Sequence, residues 1–318
     1  MDILLEAHDL RKYFPVRTGF WRRHTGDIKA VDGVSLAVPA GAALGLVGES
    51  GCGKSTLGRL LIGLLPPTAG EVRFRGEALH ALPRPELRAL RRRMQIVFQD
   101  PFSSLDPRHT VGWTVGEPLA VHGYPGDRQA RVAELLTLVG LDPQLAGCYP
   151  HEFSGGQRQR VSIARALALE PELLIADEPV SALDVSIQAQ ILNLLQDLQV
   201  RLHLTLVLIS HDLAVVEHLC PTIAVMYFGR IVELAPRDAL FGTPRHPYTR
   251  ALLASVPGAV GTARQPLSGE VPSPLAPPAG CAFHPRCPLA IDHCRREAPA
   301  LSSGGADHAA ACWCAGEG

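Results

Sequence analysis

Ala43-Leu44-Gly45-Leu46-Val47-Gly48-Glu49-Ser50-Gly51-Cys52-Gly53-Lys54-Ser55-Thr56 decides how the chain is read. Ala43 to Val47 is a short apolar run, as a strand buried on both faces requires, and Lys54 to Leu65 has the spacing of a helix. Between them the sequence fits G-x-x-x-x-G-K-[ST]. Glycines let successive amides turn inward toward phosphate oxygens, and the helix N-terminus adds partial positive charge at the same place. Gly48, Ser50, Gly51, Cys52, Gly53, Lys54, Ser55 and Thr56 are therefore the expected cradle of a nucleotide. Lys54 is expected to reach the outer phosphates and the Ser55 hydroxyl to ligate Mg²⁺.

Outward from this loop, further short apolar runs predict strands at Leu173 to Ala176, Leu204 to Ile209 and Ile223 to Phe228. Helical stripes separate them. Ile187, Ile191, Leu194, Leu195, Leu198 and Leu202 share one face, and a helix N-capped by Asp127 buries Val132, Leu135, Leu136 and Val139 before stopping at Gly140. The alternation predicts an α/β fold. The run from Leu173 ends in Asp177 and Glu178. An acid at a strand's carboxyl end suits Mg²⁺, held through water, and its neighbour suits a general base for the attacking water.

Phe153-Ser154-Gly155-Gly156-Gln157 opens a helical run, Arg158 to Leu169. It is a second anion-seeking helix start, and one nucleotide does not need two such cradles from one chain. A dimer accounts for both, each subunit's second cradle capping the nucleotide on its partner.

Composition sets the class. The 318 residues suggest about two domains at roughly 150 each, and 47% are hydrophobic, enough for a sizeable core. Thirty basic against thirty-one acidic side chains leave a charge of −1, without the basic excess of a general nucleic-acid binder. Arg88, Arg91, Arg92 and Arg93 read as a solvated helix face. No apolar run approaches a membrane span, and the acids in MDILLEAHDLRKYF do not suit a signal peptide, so a cytosolic chain is expected. Nine prolines between Pro257 and Pro299 mark an irregular appendage after a main domain of residues 1 to 245. Five of the eight cysteines, Cys281, Cys287, Cys294, Cys312 and Cys314, lie in the last 38 residues, and in a reducing compartment clustered thiols suggest metal or redox chemistry. Cys281, Cys287, Cys294 and Cys312, on irregular loops, suit zinc or a [4Fe–4S] cluster, with Cys314 a spare thiol.

Phe153 to Gln157 resembles the LSGGQ signature of ATP-binding cassette (ABC) ATPases, and the family's other marks follow in its order. Gln99, before Asp100-Pro101, resembles the Q-loop glutamine that contacts Mg²⁺ or water. Ser181-Ala182-Leu183-Asp184 resembles the D-loop, and His211 the switch histidine that bonds the γ-phosphate. Phe14 resembles the aromatic that stacks on adenine, with Tyr13 as the alternative. The resemblance implies a P-loop NTPase with a RecA-like core sheet, an antiparallel β subdomain and an inserted helical subdomain at about 101–165, followed by a small Cys-rich extension at 246–318.

Leu46 to Gly58, Tyr149 to Gln157, Asp177 to Ser186 and His246-Pro247-Tyr248-Thr249 are similar to the ATPase subunits of bacterial dipeptide/oligopeptide importers. Ala30 to Ser35, after a basic insert at Arg17 to Lys29, resembles the second of their two paired ATPases. The implied function is ATP hydrolysis powering peptide import, or import of nickel or another small solute; a soluble ABC ATPase and a non-catalytic regulatory subunit are the remaining readings. The resemblance further implies two membrane-spanning permeases, a paralogous ATPase partner, an extracytoplasmic binding protein and a location on the cytoplasmic face of the membrane. For the cysteine tail it implies the iron–sulfur cluster ahead of zinc.

Overall fold

A computed structural model describes residues 2–19, 23–100, 104–255, 272–303 and 307–315. The chain divides into two compact units, each discontinuous in sequence.

One unit comprises residues 1–4, 39–42 and 81–209. Its sheet runs Met94–Val97, Leu173–Asp177 and Thr205–Ser210, all parallel, with Val97 beside Ala176 and Asp177 beside Ile209. Every residue of the last two strands is buried, which explains their apolar runs, Leu173 to Ala176 and Leu206 to Ile209. The stretch from 104 to 167 is helical, with Val111–Val121, Arg128–Leu138 and Gly155–Leu167 packed on one another. Asp127 caps the second, its carboxylate accepting from the backbone of Gln129 and Ala130, as its sequence predicts. Val185–Arg201 forms the long helix. Its buried stripe is Ile191, Leu192, Leu195 and Leu198 rather than one continued to Leu202. Leu202 is the C-cap, where the chain leaves the helix, and its side chain is exposed. Around the basic cluster, Leu90 alone of Arg84–Arg91 is buried. Arg88 donates to the Val121 carbonyl and Arg93 pairs with Glu172, so the solvated face also fastens two edges of the unit.

The other unit comprises residues 5–38, 43–80 and 210–318. One sheet has the order Arg23–Pro39, Ile3–Thr18, Ala69–Phe74, Glu77–Ala78, with Leu5 opposite Phe74 in an antiparallel ladder. A second sheet pairs Ala43–Val47 in parallel with Thr222–Tyr227, which returns as Arg230–Pro236 through Phe228 and Gly229, both at positive φ. Two short strands late in the chain, Ala309–Ala310 and Ser302–Ser303, complete it, so the stretch beyond residue 245 is less irregular than its prolines suggest. The helix after the glycine loop ends at Leu61, four residues short of the expectation. Gly63 takes a positive φ and Pro66-Pro67 follows, which together close the helix.

Candidate functional site

Lys54 begins its helix and is 4% exposed. Its ammonium donates to the carbonyls of Gly48 (2.7 Å) and Glu49 (3.0 Å), so the loop folds around its own cation. Gly53 caps the helix at φ 109, where a Cβ would lie 2.0 Å from the Ala30 carbonyl. At Gly48 a Cβ would lie 2.1 Å from the Met226 carbonyl. Two of the pattern's glycines are thus fixed by backbone packing as well as by conformation. Cys52 is buried beside Gly48, and burial raises its thiol pKa against the opposing pull of Lys54. Ser55 and Thr56 stand at the helix N-terminus, each half-buried.

The acids lie in the other unit. Asp177 ends its strand 2% exposed. Glu178 takes φ 46, in the left-handed region, and is 9% exposed. Its backbone N–H donates to Ile209 O at 2.9 Å, which holds the turn in place. Gln99 Nε2 donates to Glu178 Oε2 at 3.0 Å, joining two residues that sequence could only set in order. Strain of this kind costs on the order of 1–3 kcal/mol and is kept where the surroundings fix it.

Ser154 caps Gly155–Leu167 through a reciprocal box: its hydroxyl accepts from Gln157 N, and Gln157 Oε1 accepts from Ser154 N. Ser154 is exposed while Phe153, beside it, is buried. Gly156 packs against Ile187 of the long helix, where a Cβ would lie 2.6 Å from its Cγ2. Asp184 caps that helix, and the next residue, Val185, is 82% exposed. In the second unit, His211 is exposed just ahead of the N-cap Asp212.

The two candidate aromatics differ. The Tyr13 hydroxyl bonds Asp32, which also pairs with Arg230 at 2.7 Å. Burial opposes ionisation of Asp32, yet these partners hold its pKa below the usual carboxylate value. Phe14 is exposed, with the Lys12 ammonium 5.3 Å from its ring centre.

Burial raises the Cys287 thiol pKa, with additions from Cys281, Cys294 and Cys314, and pushes Cys312 up to about 11. Cys314, read as spare, is buried and donates to the Leu289 carbonyl. Among the described residues no group of three or more His, Cys, Asp or Glu is placed to hold a metal ion. In this arrangement the thiols do not form a ligand set.

A groove of about 720 Å³ opens between the first two helices of the 104–167 stretch, lined by Trp113, Gly116, Val121, Val132 and Ala146 among others. Trp113 is 48% exposed and Val121 52%.

Two clusters have no local sequence signal. Glu233, fully buried, accepts from Arg245 N, His246 N and His308 Nε2. Glu49, in the glycine loop, is bonded by Arg286 and Tyr248. His308 is 75 positions from Glu233 and Arg286 237 from Glu49, so only the fold brings them together.

The family described as ABC transporter matches residues 31–181, and that described as oligopeptide/dipeptide transporter, C-terminal region, matches residues 232–294. The chain is 56% identical to a probable peptide ABC transporter ATP-binding protein of Sinorhizobium fredii, over 94% of this chain and 86% of that protein. It is 51% identical to the oligopeptide transport ATP-binding protein AppF of Bacillus subtilis, over 98% and 97%. To the di/tripeptide transport ATP-binding protein DppF of Pseudomonas aeruginosa it is 46% identical, over 95% and 94%. A solved ATP-binding cassette, dimeric and bound to ADP and Pi after hydrolysis, superposes with a TM-score of 0.64 at 30% identity. That match covers 74% of this chain and 99% of the other.

Proposed function

The chain belongs to the ABC transporter family as an ATP-binding, ATP-hydrolysing subunit that powers peptide import, and from that premise we propose how its residues divide the work. Permease subunits and a substrate-binding protein are its implied partners, and its association with the membrane is peripheral.

The Gln99–Glu178 hydrogen bond carries the reading. A carboxylate at the end of a buried strand, oriented by an amide and held by a strained backbone, is built to take a proton from a positioned water. Glu178 is the general base, and Gln99 orients it and the water. Lys54 and the amides of Gly48 to Thr56 bind the phosphates, and His211 contacts the γ-phosphate. Phe14 stacks on adenine, because Tyr13 is committed to Asp32. The oxygen donors Ser55, Gln99 and Asp177 suit Mg²⁺ in kind, and the ion, when bound, neutralises developing phosphate charge.

Ser154, Gly155, Gly156 and Gln157 face the nucleotide of the partner subunit, and Asp184 crosses the dimer boundary. The exposure of Ser154 and Val185 supports both assignments. ATP bridges the closed pair, whereas ADP lacks the γ-phosphate that Ser154 and His211 contact, so hydrolysis reopens it. The partner ATPase is a paralogue. The groove at Trp113 and Val121 receives a helix of the permease at the cytoplasmic face of the membrane.

Residues 1–245 are the nucleotide-binding domain, with its helical subdomain at about 101–165, and 246–318 the extension. Cys281, Cys287, Cys294 and Cys312 are the residues that would take a [4Fe–4S] cluster, or zinc. No step of hydrolysis depends on it. Anaerobic purification with iron and zinc analysis and absorbance near 400 nm tests this; a colourless, metal-free chain ends it.

Reconstitution with the co-purifying permeases and binding protein tests the function. ATP-dependent uptake of labelled di- or oligopeptides is expected, and uptake of Ni²⁺ in place of peptide refutes the cargo.

A further inference from the structure

Glu49 interrupts the phosphate cradle with a carboxylate where an anionic ligand is expected, and the fold answers that charge from the extension. Arg286 donates to both carboxylate oxygens, Nη1 to Oε2 at 2.7 Å and Nη2 to Oε1 at 2.9 Å. This is the bidentate fork that a guanidinium makes and an ammonium does not. The Glu49 N–H donates to Tyr248 Oη at 2.8 Å, and its carbonyl accepts from Lys54 at 3.0 Å. All three polar groups of this loop residue are therefore engaged, two of them by residues about 200 and 237 positions away.

The clamp is built to be rigid. The Arg286 side chain is 4% exposed, lies over the Tyr227 ring at 6.0 Å and donates to Tyr227 Oη at 3.4 Å. Tyr227, Tyr248 and Phe283 pack as a triad, with centroids 4.6, 5.3 and 5.5 Å apart. All three are almost fully buried. An arginine so enclosed keeps one orientation, and removing its partner strands a buried charge.

We propose that Arg286, with Tyr248, is a positioning residue of the nucleotide site: it neutralises Glu49 beside the bound triphosphate and fixes the loop whose amides hold it. The extension thus supplies part of the ATP-binding surface's shape and charge. This rests on the assignment of residues 48–56 to nucleotide phosphates. Without Arg286, the Glu49 carboxylate repels the phosphates, so ATP affinity falls while the hydrolytic groups Glu178 and Gln99 stay as they are.

The test is calorimetric titration of the full chain with Mg–ATP, together with KM and kcat for the assembled transporter. Arg286→Met is expected to weaken ATP binding roughly tenfold, because the unpaired Glu49 carboxylate, 25% exposed and so partly screened, then faces the phosphates. It should raise KM far more than it lowers kcat. Arg286→Lys, which keeps the charge but not the fork, should fall between Arg286→Met and the native chain. Adding Glu49→Gln to Arg286→Met removes the stranded carboxylate and should restore most of the affinity. A merely structural loss predicts no such rescue. Native affinity in Arg286→Met, or equal weakness in the single and double variants, overturns the proposal. Failure of the unaltered chain to bind ATP overturns instead the reading on which it rests.

Discussion

Replacing Glu178 by Gln separates hydrolysis from everything else the residue does. The side chains have nearly the same volume, and the amide oxygen of Gln can still accept from Gln99 Nε2, so the 3.0 Å contact survives. The backbone stays at φ 46, and its N–H still donates to Ile209 O. Strain and anchoring are common to both forms, so stability should change by no more than about 1 kcal/mol. What disappears is the basic oxygen. Loss of a general base costs typically 10²–10⁴ in rate, or about 3–5 kcal/mol of barrier. Phosphate release by the assembled transporter at saturating ATP should therefore fall at least about a hundredfold. Calorimetric ATP affinity of the variant should match the native chain, and its dimer should persist with ATP in size-exclusion chromatography. If Gln99 acts through Glu178, Gln99→Ala should add little to Glu178→Gln, although alone it slows hydrolysis. Turnover within about threefold of native, a barrier change of under 1 kcal/mol, would refute the assignment of Glu178 as base.

Gly53→Ala forces a Cβ to within 2.0 Å of Ala30 O at a φ of 109, so it should displace the loop and abolish measurable Mg–ATP binding by calorimetry. Asp127→Ala removes the acceptor for two backbone N–H groups of the Arg128–Leu138 helix, and chemical denaturation should show a loss of about 1 kcal/mol. His246, buried, has its pKa lowered to about 4 from 6.5, and its Nδ1 must stay unprotonated to accept from Tyr248 N at 3.0 Å. Its contribution is therefore complete above pH 6.5 and lost as pH falls toward 4, amounting to about 3–4 kcal/mol at roughly 1.4 kcal/mol per unit. His246→Asn keeps an acceptor but does not titrate, so melting temperature should fall less steeply between pH 6.5 and 4.5 than in the native chain. Equal slopes would remove His246 from that dependence.

The buried strands beginning at Ala43, Leu173, Thr205 and Thr222 could be read from the chain because each depends on neighbours a few positions away. A strand buried on both faces needs a continuous apolar run, as at Leu173 to Ala176. A phosphate cradle needs its glycines and lysine at fixed offsets, and the N-cap Asp127 needs only the next helical turn. Helix ends were less legible: the Lys54 helix stops at Leu61, where Gly63 reverses the backbone, and Leu202 lies exposed beyond the end of its stripe.

Only the tertiary structure could decide contacts between residues far apart in sequence. The Gln99–Glu178 bond, the His308–Glu233 bond and the clasp of Arg286 on Glu49 are of this kind. No spacing rule encodes a pair 237 positions apart. Such a pair exists because the fold packs Tyr227, Tyr248 and Phe283 together and sets the Arg286 guanidinium over Tyr227, within hydrogen-bond reach of the carboxylate. Short-range chemistry thus wrote the nucleotide motifs into the sequence, while the charge balance around the loop came only from folding.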